Sequence, residues 1–127
     1  MCALIQMSRR EAIFLRTTIK LIAEKAEEIK GKYGDIPTVI TGDFNQQPDG
    51  LAIKALEEKG FVKASDTVEN GNKMCTYQGW GRANDDAPID FIFTDKSRKI
   101  SNFKVHNEKM DNTFVSDHFM ITAEIEI

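Results

Sequence analysis

Three short stretches decide the fold of this chain: TGDFN at residues 41–45, PIDFIF at residues 88–93 and SDH at residues 116–118. Each stretch places acidic or amide side chains, and in the last case a histidine, at one end of an apolar run typical of a β-strand. A sheet points polar groups out of its core where its strands end. We therefore expect the polar groups of the three stretches to share one site.

The region before the first stretch is predicted to be a long amphipathic helix from about Arg9 to Lys30. Ser8 and Glu11 form an S-x-x-E capping box at its start, and Gly31 supplies the stop. Its apolar face is predicted to comprise Ile13, Leu15, Ile19, Ile22, Ala26 and Ile29. Its solvated side is predicted to comprise Glu24, Lys25, Glu27, Glu28 and Lys30.

The rest of the chain is predicted to contain a short helix and several strands. Residues 38–41 are apolar and β-branched, as in a buried strand, and residues 51–59 form a second helix ended by Gly60. Further extended segments are predicted at residues 61–64, 74–77, 89–94, 100–106 and 119–127. The last run alternates between apolar and mostly polar residues. Its inward-facing residues are therefore predicted to be Phe119, Ile121, Ala123, Ile125 and Ile127.

This order of elements predicts an α+β fold with one mixed or antiparallel β-sheet and helices on one face. Residues 1–127 are expected to form a single domain, because 127 residues and 14.4 kDa suffice for one core. Two helices can cover only one face of such a sheet. The uncovered face indicates that a partner layer is missing.

Composition excludes several classes of protein. The net charge of −3 and the pI near 5.4 provide no global basic field for capturing nucleic acid. The two cysteines, Cys2 and Cys75, form no CxxC or Cys/His cluster, so neither a disulfide framework nor a structural zinc site is expected, and Cys75 is predicted to be a small buried residue. No run of 18 apolar residues is present. We expect a soluble protein with a cytoplasmic location favoured, although a signal peptide upstream of Met1 is left open.

The first stretch offers a carboxylate and an amide directly after a strand. Gly42 permits a tight exit, and Asp43 and Asn45 could orient a water molecule for attack or contact a metal. The alternative is a strand-to-turn junction, where Gly, Asp and Asn are common for conformational reasons alone. The segment by itself does not decide between these interpretations.

Asp90 and His118 give a more specific signal. Asp90 lies in an otherwise apolar strand, where a carboxylate is costly unless it is paired; the alternative is an edge strand that turns Asp90 to water. His118 follows Asp117, and a histidine beside carboxylates can stabilise a phosphoryl transition state when protonated or act as a general acid or base. Asp90 is its natural partner. The alternative is a structural histidine, the role expected for His106.

As an ordered set, these stretches resemble the signatures of the endonuclease/exonuclease/phosphatase family, which has the fold of DNase I and of abasic-site endonucleases. The family signatures are a GDFN-like segment, an IDYIF-like segment and SDH, in this order near the C-terminus. They stand here as residues 42–45, 89–93 and 116–118, and residues 74–80 (MCTYQGW) resemble the family's TF-x-G segment.

The resemblance implies a metal-dependent hydrolase of phosphoesters, either a phosphodiesterase or nuclease or a phosphatase. It implies that Asp43 aligns the attacking water and that Asn45 helps to hold the water or the phosphate. His118 would stabilise the charge on a phosphate oxygen, with its orientation fixed by Asp90. Asp117 would be a ligand of Mg²⁺ or Mn²⁺ or would support one.

The resemblance covers nearly the whole chain but only the C-terminal half of the family's four-layer α/β/β/α sandwich. The preceding half of family members carries an Asn, a metal-binding Glu and an Asn-x-His segment, and residues 1–7 match none of these. Residues 1–127 are thus expected to be one partial domain that needs a missing N-terminal half or a second copy of the chain. The alternatives are a catalytically incomplete remnant and a self-associating binding module.

The resemblance leaves the substrate unresolved among nucleic acid, lipid and sugar phosphates. The loop at residues 78–87 carries Trp80 and Arg82, which are candidate substrate contacts because of their position. Trp80 could stack on a base or sugar, or it could pack against the core. The acidic net charge disfavours long nucleic acids.

Overall fold

The computed structural model of the chain describes residues 9–68, 74–83 and 86–126, and it describes residues 9–13, 15 and 16 without their side chains. The predicted capping box at Ser8 and Glu11 and the inward side chains of Ile13, Leu15 and Ile127 therefore lie outside what it describes, as does Cys2. The helices and strands are α1 (Arg9–Tyr33), β1 (Val39–Asp43), α2 (Leu51–Glu58), β2 (Phe61–Lys63), β3 (Asp90–Asp95), β4 (Ile100–His106) and β5 (Met120–Ile125).

The described strands form two antiparallel sheets, not the single sheet expected from the sequence. β3 lies between β1 and β2 in a three-stranded sheet, and β4 pairs with β5 in a two-stranded ribbon. The ribbon has a register shift between Ser101 and Lys104, where Asn102 adopts a φ of +51°. The α+β class with antiparallel strands is confirmed.

Successive residues of β3 face two different cores. Phe91 and Phe93 point toward both helices and pack in a cluster with Ile19, Ala26, Ala52, Ile53, Leu56 and Phe61. Ile92 points the other way and packs with Ala64 and Ile100, against half-buried side chains of the ribbon. This alternation follows from the two-residue period of a strand. The chain is therefore layered as helices, three-stranded sheet and ribbon, with both helices on one face of the sheet.

α1 does not end at Gly31 as predicted but continues to Tyr33. The residue that ends it is Gly34, whose φ of +84° is the left-handed conformation that glycine adopts at low cost. The amide of Gly34 donates to the carbonyl of Lys30 at 2.9 Å. Lys30 is also not part of the solvated side, because its ammonium lies 3.7 Å from the buried Asp95 carboxylate.

Two other predictions about strands are wrong. β1 is not a buried strand: Val39 is 46% exposed, and among its five residues only Ile40 is half-buried. β1 lies at an edge of its sheet, and the described part of the chain covers only the face that Ile40 shares with the helices. Residues 74–77 are not a strand but irregular backbone with one isolated bridge, between Tyr77 and His118. Cys75 is half-buried there.

The other predicted elements agree with the structure within a residue or two. α2 ends at Glu58 and is followed by Gly60 at a φ of +89°, as expected for a glycine stop. β5 alternates as predicted, with Ile121, Ala123 and Ile125 half-buried. None of the described helices combines the length and the apolar character needed to cross a membrane.

Candidate active site

Asp90 and His118 form a direct hydrogen bond between the start of β3 and the segment before β5. Asp90 is the first residue of β3, and His118 lies two residues before β5. Oδ2 of Asp90 is 2.8 Å from Nδ1 of His118, and the two side chains are 16% and 28% exposed. The alternative in which Asp90 faces water is therefore wrong. The bond leaves Nε2 as the ring nitrogen that faces the rest of the site.

Asp43 adds a second carboxylate on the far side of the imidazole. It ends β1 directly opposite Asp90 in the antiparallel register. Its Oδ2 lies 4.0 Å from Nε2 of His118, and its Oδ1 accepts a hydrogen bond of 2.7 Å from the amide of Asn45. The two carboxylates thus lie at opposite nitrogens of one histidine ring, Asp90 in a hydrogen bond and Asp43 beyond hydrogen-bond distance.

Phe44 explains why its neighbours point outward. Its ring packs edge-on against Phe91 and Phe93, with centroid distances of 5.7 Å and 5.6 Å. A half-buried ring that packs on the core at this position turns the adjacent side chains of Asp43 and Asn45 away from the core. Asn45 holds a φ of +50°, which Asn tolerates better than most residues, so the turn after β1 fits its sequence.

The carboxylates hold the imidazole toward its charged form. The hydrogen bond to Asp90 raises the pKa of His118 above its ordinary value, partial burial opposes this, and the charges of Asp90, Asp43 and Asp117 raise it further. A protonated imidazole keeps a proton on Nε2 and can donate it to an anion. His118 therefore offers one charged hydrogen-bond donor within a group of three carboxylates.

The SDH stretch is a tight turn held by its own side chains and by a neighbouring loop. The hydroxyl of Ser116 accepts a hydrogen bond of 3.1 Å from the amide of His118. The carbonyl of Asp117 accepts bonds of 2.9 Å and 3.0 Å from the amides of Gln78 and Gly79. The Asp117 side chain is half-buried and contributes charge at His118.

The sequence interpretation missed the structural role of residues 76–78. Thr76 is fully buried, and its hydroxyl accepts hydrogen bonds from the amides of Ile89 and Asp90 at 3.0 Å and 3.1 Å. The Tyr77 ring lies beside the His118 ring, with centroids 5.0 Å apart. Gln78 is 6% exposed. The feature of the sequence that points to a role for these residues is the resemblance of residues 74–80 to TF-x-G, although the sequence predicts a strand at residues 74–77.

Trp80 and Arg82 lie on the loop that follows this segment. Trp80 is 57% exposed and has a φ of +60°, between Gly79 and Gly81, which also have positive φ angles. Exposure on this scale excludes the alternative that Trp80 packs into the core. Arg82 is exposed as well, and its amide donates to the carbonyls of Gln78 and Gly79. The backbone of this loop is hydrogen-bonded to the SDH turn.

A groove of about 320 Å³ runs between the sheet and the ribbon at this end of the molecule. It is lined by Thr41, Gly42, Asp43, Asp90, Phe91, Ile92, Phe119, Met120 and Ile121. Its polar end coincides with the carboxylates, and its apolar wall comes from β3 and β5. The arrangement offers a carboxylate-lined end beside an apolar surface.

The donor atoms in this group are compatible with a divalent cation. Within the described residues, Asp43, Asp90 and His118 each offer a potential ligand atom, and these atoms lie within 4.8 Å of one another. Carboxylate oxygens are the ligands that Mg²⁺ and Mn²⁺ prefer. Because Asp90 and His118 are bonded to each other, Asp43 is the member of this group best placed to contact a cation.

Comparisons with known proteins agree with the geometry. The sequence model of the Endonuclease/Exonuclease/phosphatase family matches residues 8–118. A comparison with curated proteins gives no match. Solved structures with a similar fold include the mannosyl-6-phosphatase of Bacteroides thetaiotaomicron VPI-5482, with a TM-score of 0.72 and 19% identity over 95% of this chain and 48% of that chain.

A second solved structure is an endonuclease/exonuclease/phosphatase from Bacteroides vulgatus. It has a TM-score of 0.74 and 27% identity over 89% of this chain and 44% of that chain. The chain thus spans about half the length of the solved structures that it resembles. These likenesses confirm the predicted fold class, in which the chain supplies half of a larger layered domain.

Proposed function

The chain belongs to the endonuclease/exonuclease/phosphatase family, and we propose that it carries the histidine side of a metal-dependent phosphoester-hydrolase site. The observation that carries the proposal is the row Asp90, His118, Asp43, with a carboxylate at each nitrogen of one imidazole. Such a row holds a proton on Nε2 at the position where an anionic substrate would enter. Preorganised donors of this kind stabilise the charge that develops during acyl and phosphoryl transfer.

In this proposal His118 donates from Nε2 to a phosphoryl oxygen, and Asp90 keeps the ring oriented. Asp43 aligns the attacking water and accepts its proton, while Asn45 helps to hold the water or the phosphate. The water oxygen forms the new bond to phosphorus as the bond to the leaving oxygen breaks. Asp43 and Asp90 line one groove, and His118 lies beside both carboxylates.

Asp117 is the carboxylate that would hold a divalent cation, Mg²⁺ or Mn²⁺, or support one. When bound, the cation polarises a phosphoryl oxygen and stabilises the leaving oxygen. Few protein carboxylates are needed for Mg²⁺, which retains several waters. Loss of the Asp117 carboxylate would therefore weaken metal affinity strongly.

We further propose that residues 1–127 are one partial domain and that catalysis needs the segment corresponding to the other half of the solved relatives. The coverage of about half of those chains supports this. So does the exposure of Val39 and Met120, at 46% and 62%, on strands that border the groove. The alternative to that segment is a second copy of the chain. The alternative to an active hydrolase is a catalytically incomplete remnant.

The substrate is proposed to be a small phosphoester, with Trp80 and Arg82 as contacts to its organic part. The exposed indole offers an apolar face for a sugar or base. A net charge of −3 supports a sugar or lipid phosphate over long nucleic acid. One neighbour with the same fold is described as a mannosyl-6-phosphatase, which is the sugar-phosphate class.

The test is hydrolysis of p-nitrophenyl phosphate and bis(p-nitrophenyl) phosphate with Mg²⁺, Mn²⁺ or a chelator. The chain is assayed alone and mixed with the N-terminal half of a full-length family member. We expect metal-dependent turnover, at least in the mixture, that falls about 10²–10³-fold in His118→Ala. His106→Ala is the matched control, because His106 lies on β4 and bonds to Thr122.

Two results would contradict the proposal. Equal turnover in His118→Ala and His106→Ala would remove the role of His118. Absence of turnover in every mixture, with the chain folded, would support the remnant instead. Sedimentation of the chain alone, which separates monomer from dimer, tests the competing second copy.

A further inference from the structure

Thr76 connects the two sheets at the position where the Asp90–His118 pair spans them. Its hydroxyl accepts hydrogen bonds of 3.0 Å and 3.1 Å from the amides of Ile89 and Asp90, at the start of β3. Its carbonyl accepts a bond of 2.6 Å from the amide of Phe119, the residue after His118. One buried residue thus holds backbone on both sides of the pair.

Two of the three bonds occupy the whole acceptor capacity of the Thr76 hydroxyl. A threonine hydroxyl oxygen has two acceptor lone pairs, and the two amides occupy both. Thr76 is 0% exposed, so water does not replace these bonds if the hydroxyl is removed. The β-branched side chain has few rotamers, which fixes the oxygen in place.

The neighbours of Thr76 extend the same connection. Tyr77 pairs with His118 in an isolated antiparallel bridge and lies beside its ring. Gln78 is 6% exposed, and its side-chain amide donates to the carbonyl of Ser116. Its backbone amide donates to the carbonyl of Asp117. Residues 76–78 therefore contact each residue of the SDH turn as well as the start of β3.

We propose that Thr76 is a positioning residue of the site, which sets the separation and angle between the Asp90 carboxylate and the His118 ring. The effect of this positioning on catalysis rests on the proposed role of His118. The positioning of the pair itself can be tested without any activity. β3 and β5 lie in different sheets, so the hydrogen-bond ladders of the described strands do not fix one relative to the other at this end. Thr76 supplies that missing connection.

Gln78 supports the same arrangement from the other side. Its Oε1 accepts a bond of 2.6 Å from the amide of Gly81, so the side chain also closes the turn that presents Trp80. A buried amide with partners at both ends is costly to replace. The Thr76 hydroxyl acts on the Asp90 side of the pair, whereas the Gln78 side chain acts on the SDH side.

The first experiment needs no substrate. In an NMR spectrum of the 127-residue chain, the hydrogen-bonded Nδ1 proton of His118 gives a resonance far downfield, which Asp90→Asn identifies by removing it. We expect Thr76→Val to lose or shift this resonance and Thr76→Ser, which keeps the hydroxyl, to retain it. Thr94→Val is the matched control: Thr94 is equally buried, and its hydroxyl donates to the carbonyl of Thr38 at the far end of β3.

The second measurement covers the case in which Thr76→Val does not fold. In the unaltered chain, the amides of Ile89, Asp90 and Phe119 should exchange with deuterium as slowly as ladder amides of β3. Rapid exchange of these three amides would overturn the proposal, as would an unchanged His118 resonance in folded Thr76→Val. Equal loss of the resonance in Thr94→Val would also overturn it, because the effect would then be general destabilisation.

The third measurement links positioning to catalysis. Under the conditions in which turnover is detected, Thr76→Val should lower kcat about 10²-fold, as expected for a misplacement near 1 Å, with little change in KM. Thr76→Ser should recover most of the loss. If the resonance behaves as expected but no variant affects turnover, the positioning holds and the proposed role of His118 fails. The two ideas are therefore separable.

Discussion

Asp90 and His118 lie in segments that lead into different sheets, yet Oδ2 of Asp90 lies 2.8 Å from Nδ1 of His118. The carboxylate begins β3, and the imidazole precedes β5 by two residues. The bond therefore depends on how the sheet and the ribbon are packed and not on either strand alone. This is why a small change in that packing is expected to affect the site more than the stability of either sheet.

Replacement of Asp90 by Asn should lower the pKa of His118 toward its ordinary value. The main cause of the raised pKa, the hydrogen bond with the Asp90 carboxylate, would lose its charge, and partial burial would then favour the neutral ring. NMR titration of the His118 ring protons measures this directly. Asp111→Asn, at an exposed loop position, is the control and should leave the titration unchanged.

The same raised pKa predicts the direction of a stability effect. Because the folded pKa of His118 exceeds the unfolded one, its contribution to stability is complete below about pH 6.5 and is lost as pH rises through the folded pKa. The unaltered chain should therefore be more stable than His118→Gln at pH 6, and this difference in the free energy of unfolding should shrink as the pH rises to 9. A difference that rises over this range would contradict the assignment.

Asp95 should contribute stability that is lost in acid. Burial alone would raise its pKa, but hydrogen bonds from Ser97 and the amide of Thr38, with the charges of Lys30 and Arg98, hold the pKa below its ordinary value. Its contribution is therefore present above about pH 4 and is lost as pH falls through the folded pKa.

Urea denaturation measures this contribution. Asp95→Asn should lower the free energy of unfolding at pH 7 by about 2 kcal/mol, a size usual for charged hydrogen bonds. The deficit should shrink as the pH falls below about 4. The exposed Asp86→Asn is the comparison variant. A deficit that stays constant down to pH 2 would show that the carboxylate charge is not the cause.

Two glycines of α1 should respond to alanine in opposite directions. Gly31 lies inside the helix, and a methyl group there would meet no described atom within 4 Å, so Gly31→Ala should stabilise the chain by about 0.5–1 kcal/mol. Gly34 has a φ of +84°, so Gly34→Ala should cost about 1 kcal/mol. Thermal unfolding of the two variants checks both signs. Stabilisation by both would mean that α1 ends elsewhere.

Phe93 should be the most sensitive position of the helix-side core. It is 0% exposed and contacts the Phe44 ring, which turns Asp43 outward. Phe93→Ala should lower the free energy of unfolding by about 3–5 kcal/mol. Phe14→Ala is the matched control, because Phe14 is 73% exposed on α1 and should lose little. Similar losses in both variants would place Phe14, too, in a core.

The sequence predicted the elements whose cause is local. α2 and its glycine stop, the alternation of β5 and the positions of β3 and β4 follow from periodicity and turn residues in a few neighbouring positions. The partnership of Asp90 with His118 was predictable as well, since a carboxylate in an apolar strand needs a partner. Its catalytic use remains a proposal.

Other features required the tertiary structure. Local pattern did not distinguish Gly31 from Gly34 as the end of α1, because both are glycines after a charged turn and only one adopts a left-handed conformation. The division of the strands between two sheets depends on contacts between residues far apart in sequence. An apolar strand predicts burial on both faces, but β1 lies at a sheet edge, and among the described residues only its Ile40 face is covered.

The sequence by itself therefore determined the family and the candidate residues, because three ordered stretches of polar residues at strand ends carry that information. Only the tertiary structure decided that Asp43 and Asp90 lie at opposite nitrogens of one histidine and that Thr76 joins the start of β3 to the segment before β5. The reason is physical. Strand periodicity and turn chemistry act over a few residues, whereas the relative position of two sheets is set by buried hydrogen bonds and core packing between distant segments.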